Sequence, residues 1–194
     1  MSLTTSQQIL PDATTALTLE CKQSTAWIER LQRRQQSEHA EIWDLLDAVK
    51  DPEIPVVSIW DLGILCDVSL ESGQYVISIT PTYSGCPAMD TIRDDVSAAL
   101  HKAGIENFAV NMQLAPAWTT DAMSPLGRQQ LLEYGIAPPE NKVGGCLLTP
   151  EAGIRCPRCG SEQTERISEF ASTACKALFK CSECLEPFDY FKQI

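Results

Sequence analysis

Four cysteines stand in two Cys-x-x-Cys pairs, Cys156-Pro157-Arg158-Cys159 and Cys181-Ser182-Glu183-Cys184, with twenty-one residues between them. Each pair offers two thiolates to one ion, and two pairs brought together by a small hairpin complete a closed tetrahedral shell. A closed shell leaves no position for water or substrate, so the ion is expected to be structural. Zn2+ is the expected occupant, although the same four thiolates would also serve iron. A further cysteine has a different setting. Cys86 lies in Thr80-Pro81-Thr82-Tyr83-Ser84-Gly85-Cys86-Pro87, a loop that leaves a strand and enters a helix. A thiol there faces unpaired backbone N–H groups and the positive end of the helix dipole, which predicts a lowered pKa. The plain alternative is a buried cysteine that packs as a small hydrophobe. The residues alone leave both readings open.

A second stretch carries three carboxylates, Asp51, Glu53 and Asp61, within the long loop Asp51–Gly63. Asp51 and Glu53 read as caps for turns or for a short helix. Asp61 is left open between a turn role and an approach to the Cys86 loop across the hairpin. The remaining cysteines Cys21, Cys66 and Cys146 read as spare. Cys175 is ambiguous, since it stands six residues before Cys181 and could replace one knuckle ligand, although two complete pairs argue against that.

The elements that must position these residues follow from periodicity. Residues 1–36 read as a polar tail with a helix at Ala26–Arg34. A firmer helix is predicted from Ser37, where Ile42, Leu45, Leu46 and Val49 repeat at helical spacing, and it stops at Asp51-Pro52. Ile64–Leu70 and Tyr75–Thr80 form a hairpin about Glu71-Ser72-Gly73-Gln74. Pro87 takes the first position of the next helix, with Met89, Ile92, Val96, Ala99 and Ala103 as its buried stripe and Gly104 as its end. Phe108, Val110, Met112 and Leu114 alternate as a strand with one buried face. A helix at Pro125–Tyr134 completes an α+β domain over residues 37–135: helix, hairpin, helix, strand, helix. Residues 136–153, broken by prolines and glycines, read as a linker, and 154–194 as the four-cysteine ribbon. A unit of about forty residues cannot hold a core alone, so metal should provide much of its folding energy. Removing Cys159 or Cys184 is therefore expected to unfold the ribbon alone.

Composition narrows the functions. The chain has 194 residues, 44% of them hydrophobic, and nine cysteines. No apolar run approaches the roughly 18 residues needed to span a membrane. The first twenty residues lack the basic and apolar segments of a signal peptide. Many cysteines without an export signal predict a reducing, cytoplasmic setting in which they serve as ligands or thiols. Residues 39–135 hold fourteen Asp/Glu against four Lys/Arg, whereas residues 151–194 hold seven against six. So acidic a middle domain repels phosphate backbones, and the ribbon lacks the basic face of a nucleic-acid binder. His39 and His101 are the only histidines, which leaves a histidine-based di-iron or triad site poorly supported. There is no phosphate loop or dinucleotide fingerprint.

These motifs carry a resemblance. Asp51-Pro52-Glu53-Ile54-Pro55 with Ser58-Ile59, Asp61-Leu62-Gly63, Thr80 and Gly85-Cys86-Pro87 resembles the iron–sulfur assembly domain of SufT-type factors, over roughly residues 39–120. Ala115-Pro116-Ala117-Trp118-Thr119 is similar to the Pro-x-Trp segment that closes that domain. Adding Trp118-Thr119-Thr120-Asp121, Tyr134-Gly135-Ile136-Ala137-Pro138-Pro139 and the ribbon ending in Glu186-Pro187-Phe188-Asp189-Tyr190-Phe191-Lys192, residues 39–194 resemble the PaaD family. Its members are accessory components of the bacterial ring-1,2-phenylacetyl-CoA epoxidase. The chain departs from the family pattern at Ala171, where glycine is usual, and at Gln193, where a cysteine is frequent.

The resemblance implies a helper and not an enzyme. Catalysis would lie on the partner chains, a di-iron oxygenase and an iron–sulfur reductase. This chain would assist their maturation, with a transient iron or cluster at Cys86 and with Asp61 and Glu53 as its acidic motif positions. Two alternatives stand beside it: a rubredoxin-like electron-transfer module with iron in the four-thiolate shell, and a structural adaptor of the oxygenase complex. No nucleic acid or membrane partner is expected, and a homodimer is left open.

Overall fold

The structure, a computed structural model, describes residues 24–139 and 154–194. Ser24 opens the first helix, α1 (Thr25–Gln36), by accepting the Trp27 N–H on its Oγ at 3.3 Å. The helix expected in the tail is present, but it is part of the folded domain. Trp27 is buried with its ring 5.4 Å from that of Trp60. Arg30, only 6% exposed, lies over the Trp60 ring at 4.3 Å. Its guanidinium donates to the carbonyls of Trp60 at 2.7 Å, Leu65 at 2.9 Å and Ala122. Burial pushes its pKa down to about 10, which still leaves it charged at neutral pH. The polar-tail reading missed this because a single arginine on an apolar face scores as surface, while three converging carbonyls make it an interior residue.

Helix α2 (Ala40–Asp47) is shorter than expected at both ends. It buries Ile42, Trp43 and Leu46. The chain leaves the helix before Pro52 because Asp51 makes a turn of its own, its Oδ1 accepting the N–H groups of Glu53 at 2.9 Å and Ile54 at 2.8 Å.

Strands β1 (Leu65–Glu71) and β2 (Gln74–Ile79) are antiparallel and joined by Ser72-Gly73. Both turn residues have positive φ, 51° and 82°, as a two-residue hairpin with right-handed strand twist requires. Helix α3 (Ala88–Lys102) then carries the chain back to β3 (Phe108–Met112), which pairs parallel with β2, giving the order β1-β2-β3. Pro87 caps α3 from outside instead of occupying its first position. The buried face of α3 is Ala88, Met89, Ile92, Val96 and Leu100; Leu100 completes the stripe, and the expected Ala103 is exposed. The alternation of β3 also overstates its burial. Phe108 and Val110 pack on the core, but Met112 and Leu114 are exposed, because the strand lies at the sheet edge and the chain leaves it at Met112.

A short 3-10 turn (Thr120–Ala122) precedes α4 (Pro125–Tyr134), whose bounds match the expectation. Ser124 caps α4 through the Gly127 N–H at 2.8 Å, and Gly135 ends it at φ 95°. Four short strands form a second sheet: β4 (Ile136–Ala137), β5 (Thr164–Ser168), β6 (Lys176–Cys181) and β7 (Pro187–Phe191), in the order β4-β7-β6-β5. Ile136 and Ala137, expected in a linker, pair parallel with Asp189 and Tyr190 and so belong to the ribbon sheet.

The ribbon has a small core of Ala137, Cys156, Ala177, Phe179, Cys181 and Phe188. Two of its residues, Cys175 and Phe191, are buried instead in the core of the α+β domain. Phe191 meets Trp118 with ring centroids 6.0 Å apart, and the Thr120 N–H donates to the Ile194 carbonyl at 3.1 Å. The fold class is the expected α+β domain followed by a four-cysteine ribbon, with the two docked through a shared core.

Candidate functional site

The two knuckles come together. The Sγ atoms of Cys156, Cys159, Cys181 and Cys184 all lie within 4.8 Å of one another. Across the knuckles, Cys156 to Cys184 is 3.8 Å and Cys159 to Cys181 is 3.6 Å. A tetrahedron with metal–sulfur bonds of about 2.3 Å has sulfur–sulfur edges of about 3.8 Å, so the set fits a tetrathiolate metal ion. Backbone geometry presents the sulfurs. Gly160, at φ 77°, closes the first knuckle with its N–H on the Cys156 carbonyl at 2.9 Å, and the Arg158 N–H reaches the Cys156 Sγ at 3.4 Å. The N–H of Cys184, aided by that of Glu183, holds the Cys181 thiol down to about 7. These four residues would hold such an ion, and the saturated shell would leave it no open position for water or substrate.

Cys86 lies apart from this group. It is half-buried at the root of α3, with its N–H on the Tyr83 carbonyl at 3.2 Å. Its thiol interacts with the Ala88 N–H, the Thr82 side chain and the Tyr83 hydroxyl. The expected lowering of its pKa is overturned. Burial pushes the thiol up, and the carboxylates of Glu53 and Asp51 push it further, against the Ala88 N–H and Thr82. Pro87 has no N–H to give, so the helix start supplies less to the sulfur than the loop sequence promised.

The three carboxylates divide. Asp51 is buried and Glu53 partly so, and both are held above the usual carboxylate range, first by burial. Asp51 caps its turn, as expected, and both lie within charge range of Cys86. Asp61 does not join them. Its Oδ2 accepts from the Ser58 hydroxyl at 3.1 Å and its Oδ1 from the Ser124 hydroxyl at 2.5 Å. Its carbonyl accepts the Ser124 N–H at 2.9 Å. It ties the loop to α4, and the approach to Cys86 left open by the sequence is replaced by this structural role. Of the two motif carboxylates, Glu53 is therefore the one whose charge acts on Cys86.

The residue that sequence reasoning left unresolved is Cys175. It lies outside the four-sulfur group, buried at the domain contact, with its Sγ 3.0 Å from the Thr173 hydroxyl. Burial raises its pKa, and Glu53 and Cys86 act on it across the contact. Lys176, 4% exposed, pairs with Asp189 at 3.3 Å and acts on Asp51, Glu53 and Cys175. An open cleft of about 410 Å³ runs beside it, lined by Glu53, Ile136, Lys176 and Asp189 among others. The available signal was weak: a cysteine next to a lysine at the start of a short strand, with no spacing to name a partner. Cys66 is half-buried with its thiol on the Ile64 carbonyl at 3.5 Å, while Cys21 and Cys146 lie outside the described residues.

Comparison with known proteins adds an independent line. The family model described as "PaaD zinc beta ribbon domain" matches residues 142–192, and that described as "Iron-sulfur cluster assembly protein" matches residues 39–111. The chain is 51% identical, over 79% of its length and 92% of the relative's, to an Escherichia coli protein named as a putative component of 1,2-phenylacetyl-CoA epoxidase. It is 33% identical to a Porphyromonas gingivalis "Fe-S protein maturation auxiliary factor", over 47% of this chain and 86% of that one. It is 38% identical to the Bacillus subtilis "Fe-S protein maturation auxiliary factor YitW", over 43% of this chain and 82% of that one.

Proposed function

The chain belongs to the PaaD family of phenylacetyl-CoA epoxidase components, and from that premise we propose that it is a maturation factor for the metal centres of the epoxidase's other chains. Its work is done in the reducing cytoplasm, where its thiols stay free. The clients are the di-iron oxygenase and the iron–sulfur reductase of the complex, and catalysis belongs to them. Cys86 holds iron or a cluster in transit, within charge range of Glu53.

The observation that carries this reading is the separation of two kinds of thiol. Four sulfurs form a saturated shell suited to a resident Zn2+. Cys86 stands outside it, half-buried, interacting with the Tyr83 hydroxyl and the Thr82 side chain and within charge range of Glu53 and Asp51. A thiol kept protonated by burial and by neighbouring negative charge becomes a thiolate when a cation arrives, and it regains its proton when the cation leaves. That reversibility suits a carrier better than a permanent ligand set. Two relatives are named as maturation factors, and an iron–sulfur cluster assembly family model matches residues 39–111, which supports the same reading.

The test is iron and acid-labile sulfide in the oxygenase and reductase chains, each co-expressed with wild-type or Cys86→Ala protein. The expected outcome is a fall of iron in the clients and of acid-labile sulfide in the reductase, with the variant itself folded and its ribbon metal retained. Unchanged client metal would overturn the role of Cys86.

A further inference from the structure

The sheet β1-β2-β3 ends in two strands whose outer edges differ. The β1 edge is guarded. A bulge interrupts it between Leu65 and Asp67, and Asp67 and Glu71 put charge along it. Arg30 and Arg33 take the carbonyls of Leu65 at 2.9 Å and Cys66 at 2.8 Å. Bulges, charges and covering groups are what keep a sheet edge from pairing with another chain. The β3 edge has none of them. It pairs with β2 in unbroken register, and residues 107–120 carry no charged side chain. This run lies in a domain whose residues 39–135 hold fourteen Asp/Glu against four Lys/Arg. Met112 and Leu114 stand 40% and 68% exposed along it.

The bonds at the two ends of β3 fix which backbone groups point outward. The Asn107 carbonyl accepts the Tyr75 N–H at 3.0 Å, and the Gln113 N–H donates to the Ile79 carbonyl at 2.8 Å. Alternate residues of a parallel strand turn both groups to the same neighbour. Asn107, Ala109, Asn111 and Gln113 therefore face β2. Phe108, Val110 and Met112 turn N–H and C=O away from it, to a side where no strand among the described residues pairs.

We propose that this edge pairs antiparallel with the β3 edge of a second copy of the chain, about a two-fold axis at Val110, joining the two sheets into one. Val110 exchanges both backbone bonds with Val110 of the second copy, and Phe108 does the same with Met112. The exposed Met112 thereby gains an aromatic contact, on the face where Phe108 packs on the core. Glu106 falls opposite Leu114, so no like charges oppose each other across the edge. Charge selects the second copy as occupant. Two domains this acidic repel, and an uncharged edge lets them meet without opposing carboxylates. The pairing does not depend on the role of Cys86.

Sedimentation equilibrium of the full, zinc-loaded chain over about 1–100 μM reads the association. A concentration-dependent monomer–dimer equilibrium is expected in wild type. Met112→Pro removes an outward N–H and no bond to β2, so it should weaken the dimer about tenfold or more while circular dichroism keeps the wild-type fold. Leu114 is exposed, so a charge there tests the register without disturbing the core. Leu114→Lys, facing Glu106 of the second copy, should tighten the dimer about threefold, and Leu114→Glu should loosen it by a similar factor. The gain from lysine should vanish in a Glu106→Gln background. A wild type that stays monomeric overturns the proposal, even where a client chain binds this edge instead. A dimer indifferent to a folded Met112→Pro, or a lysine gain that persists without Glu106, overturns it as well. If Met112→Pro does not fold, the Leu114 and Glu106 variants decide the register alone.

Discussion

Asp51 serves two ends that pull its ionisation in opposite directions. Its Oδ1 accepts two backbone N–H groups, which favours the carboxylate, but burial favours the acid form more and the pKa is raised. A carboxyl raised on folding keeps its proton longer in the folded chain. Stability is therefore lost as pH rises from the unfolded value, about 3.9, through the raised folded value. Glu53 shifts in the same direction. Asp51→Asn keeps an acceptor for both N–H groups and cannot ionise. Its stability relative to wild type should be higher at neutral pH than at about pH 3.5, read by urea denaturation at both; an equal difference at the two would refute the charge cost. Arg30 is a second residue whose role is set by its surroundings. Arg30→Leu retains apolar contact with Trp60 but strands the carbonyls of Trp60, Leu65 and Ala122. A loss of about 2–4 kcal/mol is expected by the same method, and a loss below about 0.5 would show that water replaces the guanidinium.

Among the elements, those bounded by local chemistry were legible and those bounded by contacts were not. The bounds of α4 follow from Ser124 at its start, Pro125 at the first position and Gly135 at its end. The hairpin follows from Ser72-Gly73. Helix α2 could not be bounded this way, because its end depends on how Asp51 turns the chain. Nor could the role of α1 be seen, because the partners of Trp27 and Arg30 are remote in sequence. The joint between the acidic loop and α4 is equally remote. A Cβ at Gly127 would stand 2.7 Å from the Asp61 carbonyl oxygen. Gly127→Ala should therefore cost about 1–3 kcal/mol by forcing the loop and helix apart. A thermal midpoint equal to wild type would show that the joint yields freely.

For the whole molecule, docking of the ribbon changes what metal loss should do. Considered as an isolated module, the ribbon would unfold alone. Its residues Cys175 and Phe191, however, are part of the other domain's core. Cys159→Ser is expected to lose the metal and to lower the unfolding midpoint of the α+β domain as well, because an unfolded ribbon withdraws Phe191 and uncovers Trp118. Circular dichroism and tryptophan fluorescence should shift together. A tryptophan transition unchanged from wild type would show that the two units are independent. Visible absorption of purified protein identifies the resident ion, since tetrathiolate Fe(III) is coloured and Zn(II) is not. A colourless protein with one zinc per chain is expected, and stoichiometric iron would favour electron transfer.

The sequence by itself determined the metal set, the α+β class and the presence of the Cys86 loop. Two Cys-x-x-Cys pairs, helical and alternating periods, and turn residues are short-range signals whose physics is complete within a few positions. Tertiary structure decided which groups share a site. It tied Asp61 to Ser58 and Ser124, and put Glu53 within charge range of Cys86. It reversed the expected shift of that thiol by burying it near two carboxylates, and it brought Cys175 across from the ribbon. Burial and charge proximity are properties of the packed chain, so no local pattern encodes them, and the ionisation of a buried group depends on both.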